Sequence, residues 1–308
     1  MTNNLAPLQH FDADTLAFIE RDLLVKSAKI YKRQYPAFKL ANGQILPIKI
    51  QSELAWADEV EIEEYDTVGM NRLISDYSKG GTRVGTLARR VRYKIKTHGN
   101  HCGWSWEEAN KATAHNRPLV AQRMEATREA YDKYINFTGY NGDEEAGLPG
   151  IFTTPLQRRS SSIQINGNFT PDQIIGMLND HVNYLVSSTN ELASPKKLIM
   201  PVDKRNYLFN PRPYGDKSIG QMFLDNQREL GYITEIVADN NLKGKGAAGT
   251  DVMLVLPDDE DKMYISVPMP YTILPQQVIN LEVVVHTVGR YGGVQTLKPM
   301  EGLIVENV

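Results

Sequence analysis

The run HGNHCGW places His98, His101 and Cys102 in one short segment. Imidazole and thiolate are preferred zinc ligands, so a metal site is the first chemistry to weigh. A structural zinc site usually takes four such ligands in two short-spaced pairs. No second CxxC or HxxxH completes a set. The three residues therefore read as turn or packing residues, and no metal site is assigned. A metal-dependent enzyme built on them is the rival reading that the run leaves open.

Other candidates fall short in similar ways. LKGKGAAGTD, residues 242–251, resembles a phosphate loop only superficially. A phosphate loop reads GxxxxGK[ST] between a strand and a helix. Here Lys243 and Lys245 come early and a strand follows, so the segment reads as a surface loop. No serine sits in a GxSxG elbow. Cys102 lacks a recognisable general base. DDEDK at 258–262 reads as a solvated turn, and Arg158–Arg159 as surface that meets solvent, DNA or a neighbour. No catalytic residue and no cofactor site are assigned.

The charges with the clearest order lie on strands. EVEIEEY, residues 59–65, alternates Val60 and Ile62 with Glu61 and Glu63. RVRYKIK, residues 90–96, alternates Val91, Tyr93 and Ile95 with Arg92, Lys94 and Lys96. A period of two marks a strand. Opposite charges across an antiparallel pair contribute roughly 0.2–1 kcal/mol each. The acidic and basic stripes therefore predict that these strands pair, as a long hairpin with a glycine-containing tip. An isolated two-stranded hairpin is marginal in water, so it must lie on another surface.

The rest of the chain supplies the body. Leu16, Ile19, Leu23 and Leu24 predict an amphipathic helix over 14–26, followed by a lysine- and aromatic-rich extended arm. Ser105 and Glu108 have capping-box spacing. A long helix is predicted over 117–138, with the stripe Val120, Met124, Tyr131 and Ile135, ended by Gly139. Thr170–Pro171 opens a helix over 171–187, and Gly231 closes one that starts at Ser218. KLIMP, ITEIVA, VMLVL, MYISV and INLEVVVHTV read as strands, giving an α+β fold. The length of 308 residues suits one large domain or two modest ones. Hydrophobic residues at 41% and charged residues at 23% are those of an ordinary globular chain. A net charge of −3 marks no nucleic-acid binder, and a lone cysteine excludes an intrachain disulfide framework. Neither a signal peptide nor a membrane span is read.

This order of elements resembles the major capsid proteins of tailed bacteriophages with the Hong Kong 97 fold. QYPAFKLANGQILPI is similar to the arm leading into their hairpin, and IEEYDTVGMNRLIS to its ascending strand and tip. GWSWEEANKA precedes the long helix as in the family. GLPGIFTTP resembles the segment after that helix, with Phe152–Thr153 where Leu–Asn is frequent. GRYGGVQTLKPMEGL is similar to the closing strands. The resemblance implies an N-terminal arm over 1–44 and an extended loop over 45–104 that lies on an adjacent subunit. It implies a peripheral domain over 105–169 with the long spine helix, an axial domain over 170–280, and strands over 281–308 that return to the peripheral domain. The implied partners are further copies in hexamers and pentamers, a portal, a separate scaffolding protein, decoration proteins, and packaged DNA held without sequence specificity. The implied place is the virion, assembled in the bacterial cytoplasm. Glu61, Glu63, Arg92, Lys94 and Lys96 are the expected assembly residues. An encapsulin shell subunit is the alternative within the same fold.

Overall fold

The structure, a computed structural model, describes residues 38–68, 84–115, 118–211 and 217–308. The helix predicted at 14–26, most of the predicted arm and the hairpin tip lie outside the described residues. Residues 38–308 form one unit. Its first stretch turns at Gly43, whose φ of 71° suits glycine. Leu40, Ile45 and Leu46 around this turn are fully buried, so the end of the predicted arm belongs to this subunit's own core.

A short strand, β1 (Ile48–Lys49), leads to the hairpin strands β2 (Glu59–Val68) and β3 (Gly85–Lys94). β4 (Lys96–Ser105) follows at once. Two helices come next, α1 (Trp106–Ala114) and the long α2 (Leu119–Asn141). Ser105 caps α1 as predicted: its hydroxyl accepts from Glu108 N, and the Glu108 carboxylate accepts from Ser105 N. β5 (Gln157–Ser160) precedes α3 (Pro171–Ser188), which Thr170 and Gln173 cap in the same way. Then come β6 (Lys197–Met200), α4 (Val202–Phe209), α5 (Ile219–Glu229), β7 (Glu235–Ala238) and β8 (Val252–Leu256). The chain closes with β9 (Met263–Ser266), β10 (Met269–Ile273), β11 (Gln277–Ile279), β12 (Glu282–Tyr291), β13 (Val294–Thr296) and β14 (Leu303–Glu306).

The sheet β5–β14–β8–β6–β7 divides two cores. Along β8, Val252, Leu254 and Leu256 join the cluster that contains Tyr131 and Ile135 of α2. Met253 and Val255 join the cluster that contains Ile174, Leu178 and Leu185 of α3 and Phe223 of α5. Burial on both faces explains why VMLVL reads as an unbroken apolar run. Each such side chain contributes roughly 1.5–3 kcal/mol when fully buried. β14 pairs with β5 and β8 in this sheet, whereas β12 pairs along its whole length with β4.

HGNHCGW, read as turn or packing residues, lies in strand β4, and two other elements also differ from the sequence reading. The long helix continues past Gly139 to Asn141, with Gly142 at φ 74° as its cap. Gly139 serves packing instead: a Cβ there would collide with Leu40 Cδ2. The run INLEVVVHTV is not one strand. It reverses at Asn280, φ 57°, so β11 folds back on β12 with Ile279 opposite Glu282.

Candidate assembly surface

β2 and β3 pair in antiparallel register, with Glu61 opposite Arg92, Glu63 opposite Arg90 and Glu59 opposite Lys94. Arg92 Nε lies 2.6 Å from Glu61, and Arg90 Nε lies 2.7 Å from Glu63 and 3.4 Å from Glu61. The Tyr65 hydroxyl donates to Glu63 at 2.6 Å. That hydrogen bond, with the Arg90 charge, holds the Glu63 carboxyl below its ordinary range. The predicted pairing is therefore present, but its basic stripe is Arg90, Arg92 and Lys94. Lys96 is not on this ladder; it opens β4, opposite Tyr291. Ile95 causes the shift. It is buried, its N donates to Asp58 O at 2.8 Å, and the chain steps there from the hairpin into the next sheet. Arg90 was overlooked although it shares the parity of Arg92 and Lys94.

The opposite face of the hairpin changes character along its length. Near the base, Val60, Ile62, Val91 and Tyr93 are half-buried over residues 296–298. Tyr93 donates to Thr296 O at 2.8 Å. Further out on this face, Val68 and Leu87 are exposed, as are Tyr65 on the charged face and Val84 just before β3. A two-stranded ribbon has no second layer to cover them. Exposed apolar groups of this kind mark interaction surfaces.

The candidate metal run does not converge. His98 stacks between Tyr131 and Tyr134, 4.9 Å from each ring centroid, on the face of β4 that meets α2. Cys102 is on the same face, its Sγ 3.5 Å from Met124 Sδ, and burial pushes its thiol pKa up. His101 faces the other way, toward His286. Among the described residues no group of three metal-ligating side chains occurs. The two arginines are engaged as well: Arg158 lies 3.3 Å from Glu306, and Arg159 lies 2.8 Å from Asp180. Lys245 donates to Asn141 Oδ1 at 3.0 Å, which ties the 242–251 loop to the end of α2.

A model described as "Major capsid protein" matches residues 69–306. The chain belongs to the major capsid protein family. This capsid protein is similar in structure to the capsid of Myoviridae phage XM1, at 14% identity and a TM-score of 0.78, covering 94% of this chain and 98% of that one. It is similar to the Mycobacterium phage Bobi structure at 13% identity and a TM-score of 0.61, covering 97% and 99%. It also matches the SrpI encapsulin complex from Synechococcus elongatus PCC 7942 at 11% identity and a TM-score of 0.57, covering 98% and 96%. No curated protein sequence matches it. The α+β, Hong Kong 97-type fold expected from the sequence is the fold these structures share. The encapsulin likeness is one of fold, and the family match favours the capsid reading. The protein is a structural subunit of a viral shell.

One buried and one half-buried histidine give this subunit an acid limit. His181 is 2% exposed, and both of its ring nitrogens lack a partner. Burial first, then the Arg159 charge, pulls its pKa down to about 4, and burial does the same to His98. Unfolded histidine titrates near 6.5. As pH falls from about 6.5 to about 4, the unfolded chain takes up protons that the folded chain refuses, so stability drops across that window. The His181 shift corresponds to roughly 3 kcal/mol at the acid end. Urea unfolding at pH 7 and pH 4 should show a smaller acid loss in His181→Leu than in the wild type. Equal losses would contradict this account.

Proposed function

We propose that copies of this capsid protein form hexamers and pentamers in which each hairpin lies on an adjacent subunit, and that these rings close an icosahedral shell around double-stranded DNA. The observation that carries this reading is the outer half of the hairpin, where Tyr65, Val68, Val84 and Leu87 are exposed in the single subunit. The paired arginines and the net charge of −3 suit a wall that packages DNA without gripping it. A portal, a scaffolding protein and decoration proteins complete the particle, which assembles in the bacterial cytoplasm. In this reading the sheet β5–β14–β8–β6–β7 forms the axial part of the subunit, with β14 in it rather than among the strands expected to return over 281–308. α2 with β4 and β12 forms the peripheral part.

The charged ladder serves to keep the hairpin straight. Exposed ion pairs contribute only about 0–1 kcal/mol each to folding. Glu61→Lys together with Glu63→Lys leaves Arg90, Arg92 and Lys94 facing two further cations, which splays the strands. The double variant should remain folded by circular dichroism. Electron microscopy should show few or no closed shells. Abundant normal shells from it would remove the assembly role assigned to these residues.

A further inference from the structure

His101 leaves the run HGNHCGW in space but meets another histidine. β4 and β12 pair with His101 directly opposite His286. Side chains directly opposite on one face of an antiparallel pair have Cβ atoms about 4.5–5.5 Å apart. Both rings lie on the face turned away from α2, since their sequence neighbours Cys102 and Val285 pack toward α2 with Leu119 and Met124. His101 is exposed and His286 half-buried, so solvent reaches the pair.

The geometry is not that of an ordinary ring contact. The ring centroids are 5.5 Å apart and the planes tilt by 43°. Aromatic pairs prefer offset-stacked or edge-on arrangements, and this tilt is neither. Among the described residues neither imidazole forms a hydrogen bond or an ion pair. The separation fits a shared ion instead. Two imidazoles bound to one tetrahedral ion at about 2.0–2.1 Å per nitrogen have ring centres roughly 5 Å apart. A small rotation about the side-chain bonds supplies the difference.

The surroundings suit a cation with room around it. The residues two places to either side of His101 on β4 are Gly99 and Gly103, so no side chain of that strand covers the pair. The Glu282 side chain fills the space over Gly103, with its Oε1 2.7 Å from where a Cβ would stand. That brings a carboxylate to the position next to His101 on this face. We propose that His101 and His286 together bind one divalent transition-metal ion of the zinc class. Imidazole suits zinc, copper and nickel, whereas magnesium and calcium take oxygen ligands. Among the described residues no group of three ligands occurs, so water takes the remaining positions. The ion clips β4 to β12, which are far apart in the chain, and a clip that closes a long loop favours the folded state.

The test is zinc binding by the whole chain. Equilibrium dialysis should find one zinc site per subunit that needs both histidines. Zinc should also raise the thermal midpoint, because an ion held by the folded chain stabilises it. His101→Thr and His286→Thr introduce a residue that suits strands, so each should keep its fold by circular dichroism. Each should lose roughly 100-fold in zinc affinity, since a second ligand already held in place adds about 10²–10⁴. Each should also lose the zinc-dependent shift. His115→Ala removes an exposed histidine elsewhere and should change neither. Excess magnesium should not displace the zinc. Wild-type affinity in either threonine variant, or displacement by magnesium, would overturn the proposal. Copper bound to the wild type gives a readout that needs no variant. Its electron paramagnetic resonance spectrum should show coupling to two imidazole nitrogens, and coupling to one or none would overturn the proposal.

Discussion

Gly150→Ala is expected to destabilise this capsid protein by roughly 3–5 kcal/mol, enough to remove most soluble subunit. Gly150 lies against the last turn of α2. A Cβ there would fall 2.8 Å from both Thr138 O and Tyr140 O, and closer still to Gly142 N. All three are backbone atoms, so no side chain can swing aside. Overpacking of this kind costs roughly 1–3 kcal/mol, sometimes more. The clash also pries apart the helix end. Ile151 N donates to Gly139 O at 2.8 Å and Phe152 N to Tyr140 O at 3.0 Å, so the segment after Gly150 satisfies carbonyls that the helix leaves unpaired. Losing each bond costs about 1 kcal/mol. Gly167→Ala is the control, because no atom lies within 4 Å of its added Cβ. Its effect should stay within about 0.5 kcal/mol. Urea unfolding of both variants checks the pair, and a Gly150→Ala midpoint close to that of the control would refute the steric account.

The same glycine shows what was legible in the sequence. GLPGIFTTP carried the family resemblance, yet the reason for Gly150 appears only when residues 138–142 are brought beside it. Period-two charge on EVEIEEY and the capping signals at Ser105 and Thr170 were legible because their partners are local or follow from one alternation. β4 was not. HGNHCGWS looked like turn and ligand chemistry, since glycine is rare in strands and its pairing partner, β12, lies more than 170 residues away. Gly103 is small there because the Glu282 side chain crosses it. The reversal at Asn280 stayed hidden for a related reason: an apolar run with no Asn-Gly or Asp-Gly signature gives no sign of a turn. The assembly charges were read one pair out of place because Ile95 continues the alternation in sequence but leaves the hairpin in space.

Removing residues 66–88, with Tyr65 joined to Arg89 through a short glycine-serine turn, should give a folded subunit that cannot close shells. Glu64 and Arg89 are already partners across the ladder, so a short turn can bridge them. The retained base keeps the ion pairs of Glu61 and Glu63 with Arg90 and Arg92, and the Tyr93 bond to Thr296. Neither core includes a described residue of the removed segment, so folding should lose little. Assembly should lose much. Val68, Val84 and Leu87 each contribute roughly 1.5–3 kcal/mol when a neighbour buries them fully. Every 1.4 kcal/mol is about tenfold in association, so each subunit contact should weaken by several powers of ten. Sedimentation should find free subunits, electron microscopy no closed particles, and circular dichroism an ordinary fold. Normal shells from this variant would end the assembly role of the outer hairpin. Loss of all folded structure would show that the hairpin supports its own subunit rather than the next one.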